Sequence, residues 1–587
     1  MVNLLDAVAQ IFGKPATEPE VEPSQKIENK IVPGEEILNI DEDKVVHIFK
    51  QVYQHAYNVK KNHIIVWDKV WALFNNQYDF SQKADWQAKA YTTKFNGAIR
   101  TLMAILKRSV LGAKKIFSVE GVGYESKLKQ ANVENLLYYW FYKSNFRHEF
   151  TKSLMAGVLS SLAILKAYWN NGVKIEACDP YDVTLDPTGR NKFIIHRIKM
   201  DLYDVQKLAN EGVYNADKVA LIKESFVRAE LEYKEKLRRN EPGATPPPFR
   251  KEVEIMEYYG DLFDEDGSLI EENVIVTIAN DKYLLRIVKN PYPIKPFFIY
   301  PLYFVPFSVY HKGFFEDVVT AGLIDEMSRV LNGIIDGHLF SIAKAFELNV
   351  DLVVDPEEIQ SGIYPGKTIK RTGYANERLI QEINIGNISQ QNLAVYEMLA
   401  REFQNATSIT EFIMGMPTSR GRPTATEVVQ KTQQTLNALE DIVRDLEQYL
   451  IVPLLEFVFD LIIKYQDDFT DAQLQEFLGR NLDYTLPLEQ FKEKYFSGQY
   501  EFRVNGISQT LLKQQTVEKI ALLFQLLQAN PNWASKIDLD RLLYKILESL
   551  DLDPTELIIE QQSGQEQQTG VIPPVLTQPT ETEEVEQ

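Results

Sequence analysis

One stretch of this 587-residue sequence comes within a single residue of a phosphate-binding loop: 361–368, SGIYPGKT. Such a loop wraps phosphates in successive backbone N–H groups and needs glycine where Ser361 stands. Pro365 has no N–H to offer, and 368–373 (TIKRTG) reads as strand then turn where a helix should start. No nucleotide site is expected there. Asp264, Asp266 and Gly267 imitate part of a calcium loop, yet Leu262 holds its first ligand position and Asn273 its last, where a bidentate glutamate is required. A hairpin turn explains the segment. His47, His55 and His63 recur every eight residues, which is neither the i, i+4 pair of a helical metal site nor another standard spacing. The hydrolase, zinc-protease and dinucleotide signatures G-x-S-x-G, H-E-x-x-H and G-x-G-x-x-G do not occur. The single cysteine, Cys178, excludes an internal disulfide and a Cys-ligated zinc site, and fits a reducing compartment. The expectation is a chain with no catalytic residues, no cofactor and no metal.

Cations are the remaining candidates. Residues 418–422, TSRGR, form a short polar loop braced by Pro417 and Pro423, with Thr418 and Ser419 leading to Arg420 and Arg422 at its tip. Lys367, Lys370 and Arg371 cluster after Pro365, where a solvated β-turn and a docking surface are both open readings. Lys107, Arg108, Lys114 and Lys115 read as a solvated helix end, with an acidic or phosphate partner as the alternative.

The elements that must carry these residues follow from composition and period. Lys and Arg number 63 against 83 Asp and Glu, a net charge of −20, which argues against a chain whose main task is gripping a phosphate backbone. No membrane span is expected. Met1 to Phe12 is apolar at helical spacing but lacks a signal peptide's basic flank and cleavage site. The run 297–310 is too short and contains Pro301 and Pro306, and 154–165 reads as three helical turns ending at Lys166. Residues 44–140 carry a helical pattern, 173–200 alternate like short strands punctuated by Asp-Pro turns, and 217–239 read as a charged helix. Segments 251–259, 274–279 and 283–288 read as strands, joined by turns at 264–267 and at Asn280-Asp281. Residues 314–346 suit one helix of about 50 Å, in which Gly322, Gly333 and Gly337 are either tolerated defects or points of close helix approach. A capping box opens a helix at Thr424, in which Val429, Thr432, Leu436, Leu439, Val443, Leu446 and Leu450 step by threes and fours until Pro453 kinks it. A free coiled coil is the rival account of that run. Residues 500–506 read as a strand, followed by amphipathic helices at 510–528 and 539–550 and a disordered tail.

At this point the order of segments resembles the bacteriophage portal proteins, the head-to-tail connectors, most like those of short-tailed phages. CDPYDVTLDPTG (178–189) looks like the family's P-x-D-V … D-P element, and VPFSVYHKGFFEDV (305–318) like the approach to the first stem helix. The insert with PGKTIK is similar to the clip, and ITEFIMGMPTSRG (409–421) followed by PTATE is similar to the tunnel loop and the start of the long helix. The resemblance implies a predominantly helical α+β portal fold. Its parts would be an N-terminal arm (1–43), a wing of helices and mixed strands (44–312), a first stem helix (313–346), a clip (347–386) and a second stem helix (387–408). A tunnel loop (409–423), a long kinked wing helix with return strand (424–508), a helical crown (509–560) and a tail (561–587) would complete it. It also implies a ring of twelve copies at one capsid vertex, with a channel through which double-stranded DNA passes non-specifically during packaging, retention and ejection. Its partners would be further copies of itself, major capsid and scaffolding proteins, a terminase and a tail adaptor or head-completion protein. The chain would belong to the virion, assembled in the host cytoplasm, and would not be an enzyme. Thr418, Ser419, Arg420 and Arg422 would face DNA, while Lys367, Lys370 and Arg371 would form a clip docking surface and Pro453 the helix kink. A helical scaffold or adaptor virion protein without a channel is the alternative.

Overall fold

The computed structural model describes residues 38–505, except 39, 114, 223–251, 343–344, 356–367, 369, 374–377, 384–389, 410–438, 470–472, 474–475 and 477–497. The chain divides into two compact units, 1–508 and 509–587, and every described residue lies in the first.

Asp41 caps the first helix, α1 (Glu42–Phe74), by accepting from the Asp43 N–H, and Glu42 and Asp43 complement the positive helix end. Val45, Ile48 and Phe49 bury its first half against one sheet, whereas Ile64 and Trp67 bury its second half among residues of that sheet and of a second one. Helix α2 (Lys94–Leu111) leads into strand β1 (Phe117–Val122), then α3 (Tyr124–Lys143) and α4 (Phe146–Ser160). The helical pattern expected to about Trp140 is thus corrected: past the helix end at Gly112 the strand β1 intervenes, and its partner is the last described strand, more than 370 residues away.

Helix α4 ends at Ser160, and Ser161 adopts a left-handed φ of 71°. The apolar run expected to remain helical to Leu165 becomes strand β2 (Leu162–Trp169). This strand is the middle of a three-stranded antiparallel sheet, β3-β2-β9, with β3 at Val173–Ala177. Seven of its eight residues are buried, so its sequence carries no alternation to reveal it. Strands β4 (Val183–Leu185) and β5 (Phe193–Asp201) open a second sheet, followed by helices α5 (Leu202–Asn210) and α6 (Ala216–Leu221). Helix α6 stops where Ile222 turns extended and buries its side chain, and the rest of the expected charged helix lies outside the described residues.

The second sheet is an antiparallel meander, β4-β5-β6-β7-β8, completed by β6 (Glu252–Phe263), β7 (Leu269–Ala279) and β8 (Tyr283–Lys289). Its hairpins obey local turn chemistry. The Gly267 N–H donates to the Asp264 carbonyl at a φ of 83°, and Asn280 and Asp281 both take the left-handed region that a tight hairpin needs. Strand β9 (Phe297–Pro301) returns to the three-stranded sheet.

The single long helix expected over 314–346 is two: α7 (Glu316–Thr320) and α8 (Leu323–Ile342), separated at Gly322, whose φ of 69° ends the first. A hairpin of β10 (Ala345–Leu348) and β11 (Ile380–Ile383), with a short 3-10 turn at Val350–Leu352, is what the structure describes of the insert. Helix α9 (Gln390–Thr407) packs back along α8. A helical segment at 439–446 runs through a π turn at Glu447–Ile451 into α10 (Val452–Lys464). The chain's described part closes with β12 (Gln499–Val504), which pairs with β1 from Phe117↔Val504 to Val122↔Gln499. Leu439, Val443, Leu446, Leu450, Leu454, Phe457 and Leu461 are all buried in the main core, so these positions of the heptad-like run are covered by this chain's own core.

Candidate functional site

Where the two sheets meet, a polar cluster is sealed in apolar surroundings. Lys166 on β2 donates to Glu257 on β6 at 2.7 Å, and the Tyr259 hydroxyl donates to the same carboxylate at 2.8 Å. Burial alone would raise the Glu257 pKa, but the cations Lys166 and Arg286 override it and hold the carboxyl at about 2. Burial likewise opposes the charge on Lys166, and Glu257 and Tyr259 outweigh it. His196 beside them is pushed down to about 3, by burial first and then by the Lys166 cation. Its imidazole is neutral at pH 7. Burial lifts the Cys178 thiol to about 12, far from the reactive range. A second buried cation, Lys60, donates to the carbonyls of Tyr181 and Val183, both at 2.7 Å. These charges lock α1 and the two sheets together. No groups of three or more His, Cys, Asp or Glu residues that could hold a metal ion occur among the described residues.

The CDPYDVTLDPTG segment folds around its own aspartates. Asp179 accepts from the Tyr181 N–H, Asp182 pairs with Arg197, and the buried Asp186 carboxylate receives the N–H groups of Thr188 and Lys192. Asp264 forms an ion pair with Lys44, as a solvated hairpin turn would. His63 lies between the Trp67 and Tyr310 rings and its pKa is lowered by burial, so it is a packing residue of α1.

Helix α8 changes character along one side. Towards its start, Ser328, Asn332 and Asp336 repeat at i, i+4 and i+8 and grip the chain that leads to α2. Ser328 accepts from the Thr92 N–H, and Asp336 accepts from the Ala88 N–H. Asn332 both accepts from the Ala90 N–H at 2.8 Å and donates to the Ala90 carbonyl at 2.9 Å. This row is legible as S-x-x-x-N-x-x-x-D in an otherwise apolar helix, yet it was not singled out by the sequence reading. Further along the same side, towards the end of α8, Ile335, Leu339 and Ile342 are exposed, and Leu393, Val395 and Met398 are exposed on α9. Nothing comes within 4 Å of a Cβ placed on Gly322 or Gly333, so no close helix approach within this chain accounts for either.

Of the clip residues, Lys370 and Arg371 are exposed, and Arg371 bridges in antiparallel fashion to Val353; Lys367 lies outside the described residues. Thr418, Ser419, Arg420 and Arg422 of the expected tunnel loop also lie outside them. So do the arm before Leu38, the crown and the tail. Pro453 stands one residue past the π turn, where the Val452 N–H reaches back five residues to the Glu447 carbonyl. Glu447 itself is a buried carboxyl whose Oε1 has no hydrogen-bond partner, and burial lifts its pKa to about 7 against the pull of Arg444.

Exposed apolar residues on an anchored helix pair are surface of the kind that marks a protein–protein contact. A family model described as Phage SU10 portal protein matches residues 170–478, just over half of the chain, and the chain belongs to this family of phage portal proteins. No curated protein matches it. Portal proteins are structural components of the virion, and no described helix is long and apolar enough to cross a membrane.

Proposed function

We propose that the chain assembles into a closed ring at one capsid vertex and forms the channel through which double-stranded DNA is packaged, held and ejected. The observation that carries this reading is the exposed apolar surface of the helix pair α8 and α9. Ile335, Leu339 and Ile342 towards the end of α8, with Leu393 and Met398 on α9, are 40–68% exposed, apolar surface that a neighbouring copy's stem would bury. The net charge of −20 supports passage of DNA, because a wall of cations would hold the strand by counterion release. Twelve copies is the number the family resemblance implies.

In this reading α8 and α9 are stem helices and the β10–β11 hairpin belongs to the clip. Lys367, Lys370 and Arg371 there form a docking surface for a terminase and then a tail adaptor. Thr418, Ser419, Arg420 and Arg422 touch DNA phosphates without reading bases. The π turn and Pro453 set the bend of the long helix. The test is the double variant Ile335→Asp, Leu339→Asp, which places charge at side chains 40% and 43% exposed in the single chain. Ring yield by size-exclusion chromatography is expected to fall at least tenfold with an unchanged circular dichroism spectrum; undiminished rings would remove this face from the assembly.

A further inference from the structure

Phenylalanine 307 is fully exposed and its φ is 64°, a left-handed conformation that costs a bulky residue about 1–3 kcal/mol. The surrounding loop is not loose. Tyr303 and Lys312 bridge its ends, the Ser308 N–H donates to the Val305 carbonyl, and the His311 N–H donates to the Ser308 hydroxyl. His311 Nδ1 sits 3.1 Å from the Val305 N–H and 3.0 Å from the Val305 carbonyl, tying the ring to that residue's backbone, and burial lowers the ring's pKa. Tyr310 nails the loop down: it is buried, stacks near His63 and Trp67, and its hydroxyl accepts from the Leu185 N–H at 2.9 Å. The loop therefore uses one buried aromatic to hold two others, Phe304 and Phe307, in water.

Phe307 stands on the edge of an open groove of about 890 Å³ that Ile294, Tyr449 and Pro453 also line. Phe304 joins this patch through His311, whose ring lies 5.1 Å away. The groove's charged groups are already engaged: Asp186 with backbone N–H groups, Asp261 with Lys192, and Lys295 with the Asn191 carbonyl. The groove's lining mixes polar and apolar groups, and the rings of Phe307 and Tyr449, with Phe304 beside them, are uncovered apolar surface, which suits a protein interface better than a phosphate backbone. At about 200 Å² per aromatic ring, Phe304, Phe307, Ile294 and Tyr449 present roughly 550 Å². That is the larger part of the ~800 Å² each partner buries in a stable interface.

We infer that Phe307, with Phe304, is a preformed aromatic knob that seats against a second copy of this chain, with Ile294 and Tyr449 closing around the same contact. The inference rests on the ring reading and adds to it a named contact outside the stem. A ring is closed by contacts that join unlike surfaces of successive copies, and a rigid knob fixes their angle better than a flat helix face.

Two variants test it. Phe307→Gly removes the ring and relieves the left-handed backbone, so the monomer should be at least as stable as the parent while assembly weakens at least tenfold. Replacing Phe307 by the photo-cross-linker p-benzoylphenylalanine keeps an aromatic knob and should give covalent dimers of this chain within purified rings. A parent ring that Phe307→Gly leaves intact overturns the contact alone, and so do cross-links that form only within one chain or only to another virion protein. A parent chain that forms no ring overturns the ring reading together with this contact.

Discussion

Side chains in this chain divide into those that seal charge and those that expose apolar surface. The Lys166–Glu257 pair is of the first kind. Removing one partner leaves the other charge buried, which costs about 3–5 kcal/mol, whereas replacing both with apolar groups is close to neutral. Lys166→Met should therefore lower stability in urea by that amount, and Lys166→Met with Glu257→Leu should restore most of it. Because Glu257 titrates at about 2 in the folded state against an ordinary 4.5, its contribution is present above pH 4.5 and fades as the pH falls towards 2. Glu447 has the opposite sign. Its folded pKa of about 7 lies above the ordinary 4.5, so the folded chain binds this proton more tightly and loses stability as the pH rises from 4.5 to 7. Glu447→Gln should raise the melting temperature clearly at pH 8 and little at pH 5; equal shifts at both would refute the assignment. None of this is legible in the sequence: Lys166 reads there as the residue that stops a helix, and the burial that shifts both carboxyls is made by elements distant in sequence.

Among the elements, those with local causes were legible. The hairpins at 264–267 and Asn280-Asp281 follow from turn residues, and the stepping of Leu439 through Leu461 follows from a helical face that the core does bury. Strand β2 was misread because an apolar run buried on both faces has no period, and β1 was missed because its partner β12 lies at the other end of the described chain. The break at Gly322 shows that helical spacing on both sides of a glycine does not guarantee one helix. The polar row of α8 is an element-scale device with a measurable effect. Asn332→Ala would leave both the N–H and the carbonyl of Ala90 without their partner, at about 1–3 kcal/mol for buried groups. Faster hydrogen exchange at residues 88–92, with exchange in β6 and β7 unchanged, is the expected result; uniform acceleration throughout would mean that the row holds the whole fold and not this segment.

At the scale of the whole molecule, family membership is legible from the order of segments more than from any single motif. The P-x-D-V … D-P element, the aromatic approach, the helix pair with its insert and the long helix are each short or built of common residues, and the family match covers them together over 170–478. The candidate site residues are less legible: Arg371 and Lys370 stand exposed, while Phe307 lies inside a run that reads as too short to span a bilayer and as the approach to the first stem helix, with nothing in it to mark an exposed ring. An isolated copy exposes apolar residues on α8, on α9 and at the 303–312 loop, three places that a ring of copies would cover. The central claim is that this chain closes into a channel. Negative-stain imaging of the purified full-length protein, with its mass measured in solution, tests it most directly: closed rings of uniform copy number with a central hole are the predicted result, and monomers, open filaments or solid rods would contradict it.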